Sequence, residues 1–208
     1  MIEELIIRTL CDTAPATSVD GLFLFGQTAD NQNAVFTAAR HVLVSNIAAK
    51  VMFVNTGPIS GYLGFDNWKQ ELRSLGVSES QLEPVPPVPA DTELLHTRIE
   101  AESLVAHAKK QGYKALLVSA SPFQQTRAFM AAVTAALQEY PQLFLYSLPG
   151  EALPWQEEVK HSQGAVQGTR AELIAGEMER IRKYHEKGDL ASVDEVLDYL
   201  TKRDRGLL

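Results

Sequence analysis

A buried strand, a short polar stretch and the start of a helix follow one another between Leu116 and Ala128. Ser121 is a suitable N-cap, Pro122 suits the first helical position, and Gln124 has the spacing of a capping box. Arg127 places a cation about one turn into this helix, where it opposes the helix dipole by about 0.3–1 kcal/mol. Such a cation is easier to understand if an anion, from the protein or from a ligand, lies beside it. The segment therefore predicts an anion site where a strand runs into a helix N-terminus.

Thr97 and Glu100 have the spacing of a second capping box. We favour a capping role for this pair, because capping is the commoner use of the pattern. Alternatively, both side chains face the ligand crevice, with Glu100 accepting a hydrogen bond from a ligand hydroxyl or pairing with Arg127. A helix that starts earlier, at Asp91 or Thr92, would also keep both side chains on one face.

Two polar turns follow the predicted strands in the first half of the chain. The turn from Asn55 to Gly64 contains three glycines, which let the backbone approach a ligand, although a flexible surface turn is an equally good interpretation. Neither this turn nor the one at Gln27 has the sequence of a P-loop or of a dinucleotide-binding glycine motif. The predicted ligand-binding residues are Gln27, Asn55, Gly57, Thr97, Glu100, Ser121, Gln124 and Arg127.

The sequence offers few residues for acid–base or nucleophilic catalysis. No Gly-x-Ser-x-Gly motif surrounds Ser119 or Ser121, so capping or packing is the favoured role of both. The five histidines have no metal-ligand spacing, so no metal site is expected. Glu100, or His96 close to it, is the candidate group for proton transfer if the protein is an enzyme.

The composition, 45% hydrophobic and 22% charged, is typical of a folded soluble protein. Acidic residues outnumber basic ones by 26 to 19, and no basic cluster is interleaved with aromatic residues, so nucleic acid is not expected as a partner. Cys11 is the single cysteine, which excludes an intrachain disulfide. The chain begins with acidic residues and has no apolar run of membrane-spanning length, so we expect a cytoplasmic protein without a membrane span.

Strand and helix patterns alternate along residues 1–147. Apolar runs at 22–26, 51–54, 116–119 and 143–146 predict buried strands, and four nearby prolines allow only a short edge strand at 82–85. This alternation predicts a Rossmann-like α/β core, with about five mainly parallel strands in the order 3-2-1-4-5 and helices on both faces. The strands at 22–26 and 116–119 should be neighbours, since the order reverses between them.

Residues 148–208 are expected to form a loop and a C-terminal helical extension. The loop, 148–168, lacks periodicity and carries Trp155, which we place near the mouth of the crevice. Two amphipathic helices follow, and we expect them to pack back on the core. Homodimerisation through Ile174, Met178 and Ile181 is the alternative.

The chain resembles the YdcF-like and SanA-like family, also called domain of unknown function 218. The resemblance implies a Rossmann-type fold. One branch of that family is associated with S-adenosylmethionine and another with an envelope-related role. Gln124 stands where the family has a histidine, so acid–base chemistry at that position is not implied here. The similar segments are the strand 20–26, the turn 55–57, Thr97 with Glu100, the segment 121–128, and the tail 176–181 with Tyr184, Gly188 and Asp189.

These patterns lead to three hypotheses about function. The leading one is a protein that binds a small anionic or nucleotide-like ligand, with S-adenosylmethionine as one option, at the carboxyl edge of the sheet. A second is a hydrolase or transferase that acts on a phosphate-containing small molecule in the same crevice. A third is a homo-oligomeric interaction protein that uses its C-terminal helices.

Overall fold

The computed structural model of the 208-residue chain describes residues 1–13, 15, 17–161 and 166–208. Its strands and helices alternate up to Ser147, and a hairpin with two further helices follows. In chain order the elements are α1 (Ile2–Leu10), β1 (Gly21–Leu24), α2 (Gln32–Val44), β2 (Val51–Val54), α3 (Phe65–Ser74), a short 3-10 helix (Glu79–Gln81), β3 (Leu82–Val85), α4 (Thr97–Gln111), β4 (Ala115–Ser119), α5 (Pro122–Glu139), β5 (Phe144–Ser147), β6 (Glu158–His161), β7 (Val166–Thr169), α6 (Arg170–Glu186) and α7 (Val193–Asp204).

Five parallel strands form the central sheet, in the order β3-β2-β1-β4-β5. The predicted strand order and the predicted contact between β1 and β4 are both confirmed. Leu22 pairs with Leu117 and Phe23 with Val118. Because the chain direction across the sheet reverses between β1 and β4, the helices that follow these two strands diverge and leave a crevice at their carboxyl ends.

The edge strand β3 confirms the prediction made from the prolines. Pro84 lies inside it and has no N–H to donate, so the strand pairs only with β2 and ends the sheet.

Helices cover both faces of the sheet. On one face α2 and α3 meet through Phe36 and Trp68, whose ring centroids are 5.0 Å apart. Right-handed crossovers place α4 and α5 on the opposite face, where α4 contacts β2 and β3, and α5 contacts β4 and β5. This arrangement fixes the first turns of α4 and α5 beside the end of β1.

The segment expected to be a loop, 148–168, includes β6 and most of β7, which pair antiparallel, so the expectation of a loop without strands there is wrong. Apolar alternation did not reveal the hairpin because its first strand carries a single apolar residue, Val159. Polar contacts hold the hairpin on the turn after β1. Thr28 Oγ1 donates to the Lys160 carbonyl at 2.8 Å, and the Lys160 N–H donates to Asp30 at 2.8 Å. Trp155 is 39% exposed and is not among the residues that line the crevice.

The two C-terminal helices lie against the core. Ile181 and Tyr199 are buried, and the guanidinium group of Arg203 makes two 2.6 Å contacts with the carboxylate of Asp12. The burial of Ile181 removes it from the surface stripe invoked for homodimerisation, of which only Ile174, 42% exposed, remains clearly accessible. None of the described helices is long and apolar enough to cross a membrane.

Candidate functional site

A polar cleft of about 320 Å³ opens at the carboxyl ends of β1 and β4. The turn after β1, the loop before α3 and the starts of α4 and α5 form its base, and β6, β7 and α6 close its outer side. The lining residues are Gly26, Gln27, Thr28, Ser60, Tyr62, Leu95, His96, Thr97, Glu100, Gln124, Arg127, His161, Val166, Arg180 and Tyr184.

The predicted site residues divide into two groups. The cleft brings together Gln27, Thr97, Glu100, Gln124 and Arg127. The other three do not line it. Asn55 and Gly57 are exposed beyond its edge, and Ser121 is buried beneath it. The loop after β2 contributes Ser60 and Tyr62 instead.

A relay of side-chain amides orients Gln124. Gln27 Nε2 donates to the Phe25 carbonyl at 3.1 Å and to Gln124 Oε1 at 2.9 Å. Ser121 Oγ donates to Gln27 Oε1 at 2.6 Å. Because a carbonyl oxygen only accepts, the Phe25 carbonyl fixes the amide orientation of Gln27, which in turn leaves the NH₂ group of Gln124 as a donor. Ser121 therefore precedes α5 as expected but makes no side-chain cap, and its capping box with Gln124 is wrong.

Glu100 faces the cleft rather than capping its own helix. The helix begins at Thr97, so the capping interpretation of Thr97 and Glu100 is wrong. Glu100 Oε1 accepts a 2.5 Å hydrogen bond from the Gly26 N–H, and a Cβ at Gly26 would lie 3.0 Å from that oxygen. Burial raises the pKa of Glu100 to about 7, against the opposing effects of the Gly26 N–H and of the charge on Arg127.

The anion expected beside Arg127 is a side chain of the protein itself. Arg127 Nε donates to Glu177 Oε2 at 2.5 Å, and its Nη1 donates to Thr97 Oγ1 at 2.6 Å. Glu177 is fully buried and also binds Arg180 at 2.6 Å and His161 at 2.8 Å. Although burial opposes ionisation, Arg127 and His161 hold the pKa of Glu177 far below its usual range. Arg127 is thus paired with Glu177 and not with Glu100.

The cleft carries net positive charge when Glu100 is protonated. Two guanidinium groups, those of Arg127 and Arg180, share the single ionised carboxylate of Glu177. The side chain of Arg180 is 20% exposed and that of Arg127 is 8% exposed. Arg180 is therefore the cation more accessible to a ligand.

Sequence reasoning missed several contributors to this site, among them Tyr62, His161, Glu177 and Arg180. Glu177 had a detectable signal. It lies four residues after Leu173 and four before Ile181, so it interrupts the apolar stripe of α6 with a carboxylate. A charged residue on a buried helix face requires a buried partner of opposite charge.

Within the described residues, no group of three or more histidine, cysteine, aspartate or glutamate side chains is placed to hold a metal ion. The chain matches no protein-family model, and no curated protein matches it.

Proposed function

We propose that this protein binds a small anionic or nucleotide-like ligand in the cleft at the carboxyl edge of the sheet. The observation that carries the proposal is the convergence of Arg180, Arg127 and the Gln124 amide on one polar cleft beside the N-terminus of α5. Cationic and N–H donors next to a helix N-terminus favour a negatively charged group.

The buried ion pair supports this proposal by positioning the donors before a ligand arrives. Glu177 holds Arg127 and Arg180 on adjacent elements, α5 and α6, so their side chains lose little further freedom when an anion binds. One carboxylate does not neutralise two guanidinium groups, and the remaining charge is available to the ligand.

S-adenosylmethionine is one specific ligand that we propose for this cleft. It is suggested by the resemblance to the YdcF-like family, and membership of that family stays part of the proposal. The ligand would place its carboxylate at the guanidinium groups and its adenosine part along the adjoining cleft of about 180 Å³, which Thr97, Tyr184 and Leu190 line.

Replacing Arg180 with glutamine should weaken anion binding by about tenfold, because one charged hydrogen bond is lost. We expect the wild type to be stabilised in a thermal-shift panel of inorganic sulfate, inorganic phosphate, phosphate monoesters, nucleotides and S-adenosylmethionine. Arg180→Gln should shift the midpoint of that stabilisation to about tenfold higher ligand concentration.

The matched control is Arg182→Gln, which removes the same charge from an exposed position of the same helix. It should bind like the wild type at constant ionic strength. Equal weakening by the two substitutions, or no stabilisation of the wild type by any anion in the panel, would contradict the proposal.

A second candidate function is favoured by the proton held on Glu100. A carboxyl group with a pKa of about 7 can donate or accept a proton at neutral pH, as a hydrolase or transferase acting on a phosphate ester requires. Turnover of phosphate esters or methyl donors by the wild type, lost in Glu100→Gln while ligand-induced stabilisation is kept, would favour an enzyme. Stabilisation without turnover would favour a binding protein.

A further inference from the structure

The donors that line the cleft define which kind of anion it takes. We infer that the ligand presents an ionised oxyanion, such as a carboxylate, a sulfate or a phosphate ester, and that one of its oxygens accepts hydrogen bonds from Gln124 and from a protonated Glu100. This inference rests on the proposed function, because it specifies the ligand and the protonation state of that same cleft. It adds that binding is coupled to the uptake of a proton.

The amide of Gln124 can only donate into the cleft. Its Oε1 is occupied by Gln27 Nε2, and the relay that begins at the Phe25 carbonyl prevents the amide from turning over. Gln124 is 4% exposed, and its NH₂ group has no partner within the part of the chain that the structure describes. The NH₂ group is not among the fully buried atoms that lack a partner, so it is open to the cleft, where a ligand oxygen can accept a hydrogen bond from it.

Only one of the two oxygens of the Glu100 carboxyl group accepts a hydrogen bond from the protein within the described residues. Oε1 accepts from the Gly26 N–H, and Oε2, which makes no hydrogen bond within the described residues, is on the residue's cleft-lining carboxyl group. An ionised carboxylate in this place would repel an oxyanion, whereas a protonated one would donate to it through Oε2. Because burial already raises the pKa of Glu100 to about 7, the proton is held or readily taken up near neutral pH.

The other titratable and charged groups that line the cleft with Glu100 come from α5, α6 and β6 and from the segments before α3 and α4. Arg127 on α5 and Arg180 on α6 stay cationic, and burial raises the pKa of Tyr62, which stays neutral. Desolvation lowers the pKa of His96, just before α4, and His161 on β6 and Tyr184 on α6 also line the cleft. These groups are unchanged when Glu100 alone is replaced. A comparison of the wild type with Glu100→Gln therefore isolates the effect of the Glu100 carboxyl group on the pH dependence of binding.

The dissociation constant of sulfate, measured by calorimetric titration at constant ionic strength, tests this inference because sulfate keeps its charge between pH 6 and pH 8. A carboxyl with a pKa near 7 is mostly protonated at pH 6 and mostly ionised at pH 8. We expect the wild type to bind sulfate about tenfold more weakly at pH 8 than at pH 6. Glu100→Gln, whose amide donates at every pH, should lose most of this difference.

A second variant tests the donor at the other side of the oxyanion. Gln124→Glu keeps an oxygen to accept from Gln27 but replaces the NH₂ group with a second oxygen, so sulfate binding should fall at least tenfold. Gln138→Glu adds the same charge to the exposed end of the same helix and should bind like the wild type. Equal binding by Gln124→Glu and Gln138→Glu would overturn the role of Gln124.

Two results separate this inference from the proposed function. Saturable sulfate binding with the same pH dependence in wild type and Glu100→Gln would overturn the proton coupling and leave an anion-binding protein. No saturable binding of sulfate or phosphate at either pH would overturn both. If Glu100→Gln does not fold, the carboxyl ¹³C resonance of Glu100 in the wild type decides, because its midpoint should move to higher pH when sulfate is added and would stay in place otherwise.

Discussion

Replacing Glu177 with glutamine is expected to lower the free energy of unfolding by about 3–5 kcal/mol, because it leaves a buried guanidinium without its counter-charge. Glu177 is fully buried and binds Arg127, Arg180 and His161, so one substitution removes the charge at the centre of the whole group. Urea unfolding at pH 7 measures the change directly.

Glu179→Gln is the matched control for this prediction. Glu179 is exposed on the same helix, two residues further along, and its replacement should change the free energy of unfolding by less than about 0.5 kcal/mol. A loss below about 1 kcal/mol in Glu177→Gln would mean that the ion pair does not hold α6 on α5. The stabilisation from Glu177 is present above the ordinary pKa of a carboxyl and is lost as pH falls below it, because the pKa is lowered in the folded protein.

Glu100→Gln is expected to have the opposite sign, raising the free energy of unfolding at pH 8 by about 3 kcal/mol. Folding raises the pKa of Glu100 from 4.5 to about 7, so the folded chain keeps a proton that the unfolded chain has released over this range. The contribution of Glu100 to the free energy of unfolding is therefore greatest below pH 4.5 and is lost as pH rises to about 7. Glutamine carries no charge at any pH, so the variant does not lose stability in this way as pH rises.

The measurement for Glu100→Gln is urea unfolding at pH 4.5 and pH 8 in a buffer free of oxyanions. The free energies of unfolding of the wild type and the variant should differ little at pH 4.5, and the variant should be the more stable of the two at pH 8. Glu93→Gln, at an exposed position before α4, should change stability equally at both pH values. An equal effect of Glu100→Gln at both pH values would show that the carboxyl is not held neutral by the fold.

The α/β core could be predicted from sequence because its signals are local. Apolar runs of four or five residues identify the strands, and Pro84 identifies the edge strand. Once the strands are known, right-handed crossovers restrict their order and fix the adjacent β1 and β4 that form the cleft.

The capping-box predictions at Thr97 and Ser121 failed because the same residue types serve as caps and as long-range partners. Glu100 binds Gly26, which is 74 residues away, and Ser121 binds Gln27, which is 94 residues away. Spacing within a helix carries no information about such contacts. The hairpin was missed for a similar reason, since Lys160 is held by polar contacts to the turn after β1 and not by an apolar pattern.

The sequence correctly predicted an anionic group beside Arg127, but it did not identify which group this is. Its partner, Glu177, lies 50 residues further along the chain, on a helix that sequence analysis placed against the core without assigning contacts. The consequence for function is that Arg180, rather than Arg127, is the cation most open to a ligand.

The most direct test of the central claim is a ¹H–¹⁵N correlation spectrum of the wild type during a sulfate titration. We predict saturable shifts of the Gly26 and Gln124 amide signals, and a midpoint at about tenfold higher sulfate concentration in Arg180→Gln. The cluster of Lys50 and Glu83 at the opposite, amino edge of the sheet should not respond. Saturable shifts confined to that edge, or no saturable shift at Gly26 and Gln124, would contradict an anion site at the carboxyl ends of β1 and β4.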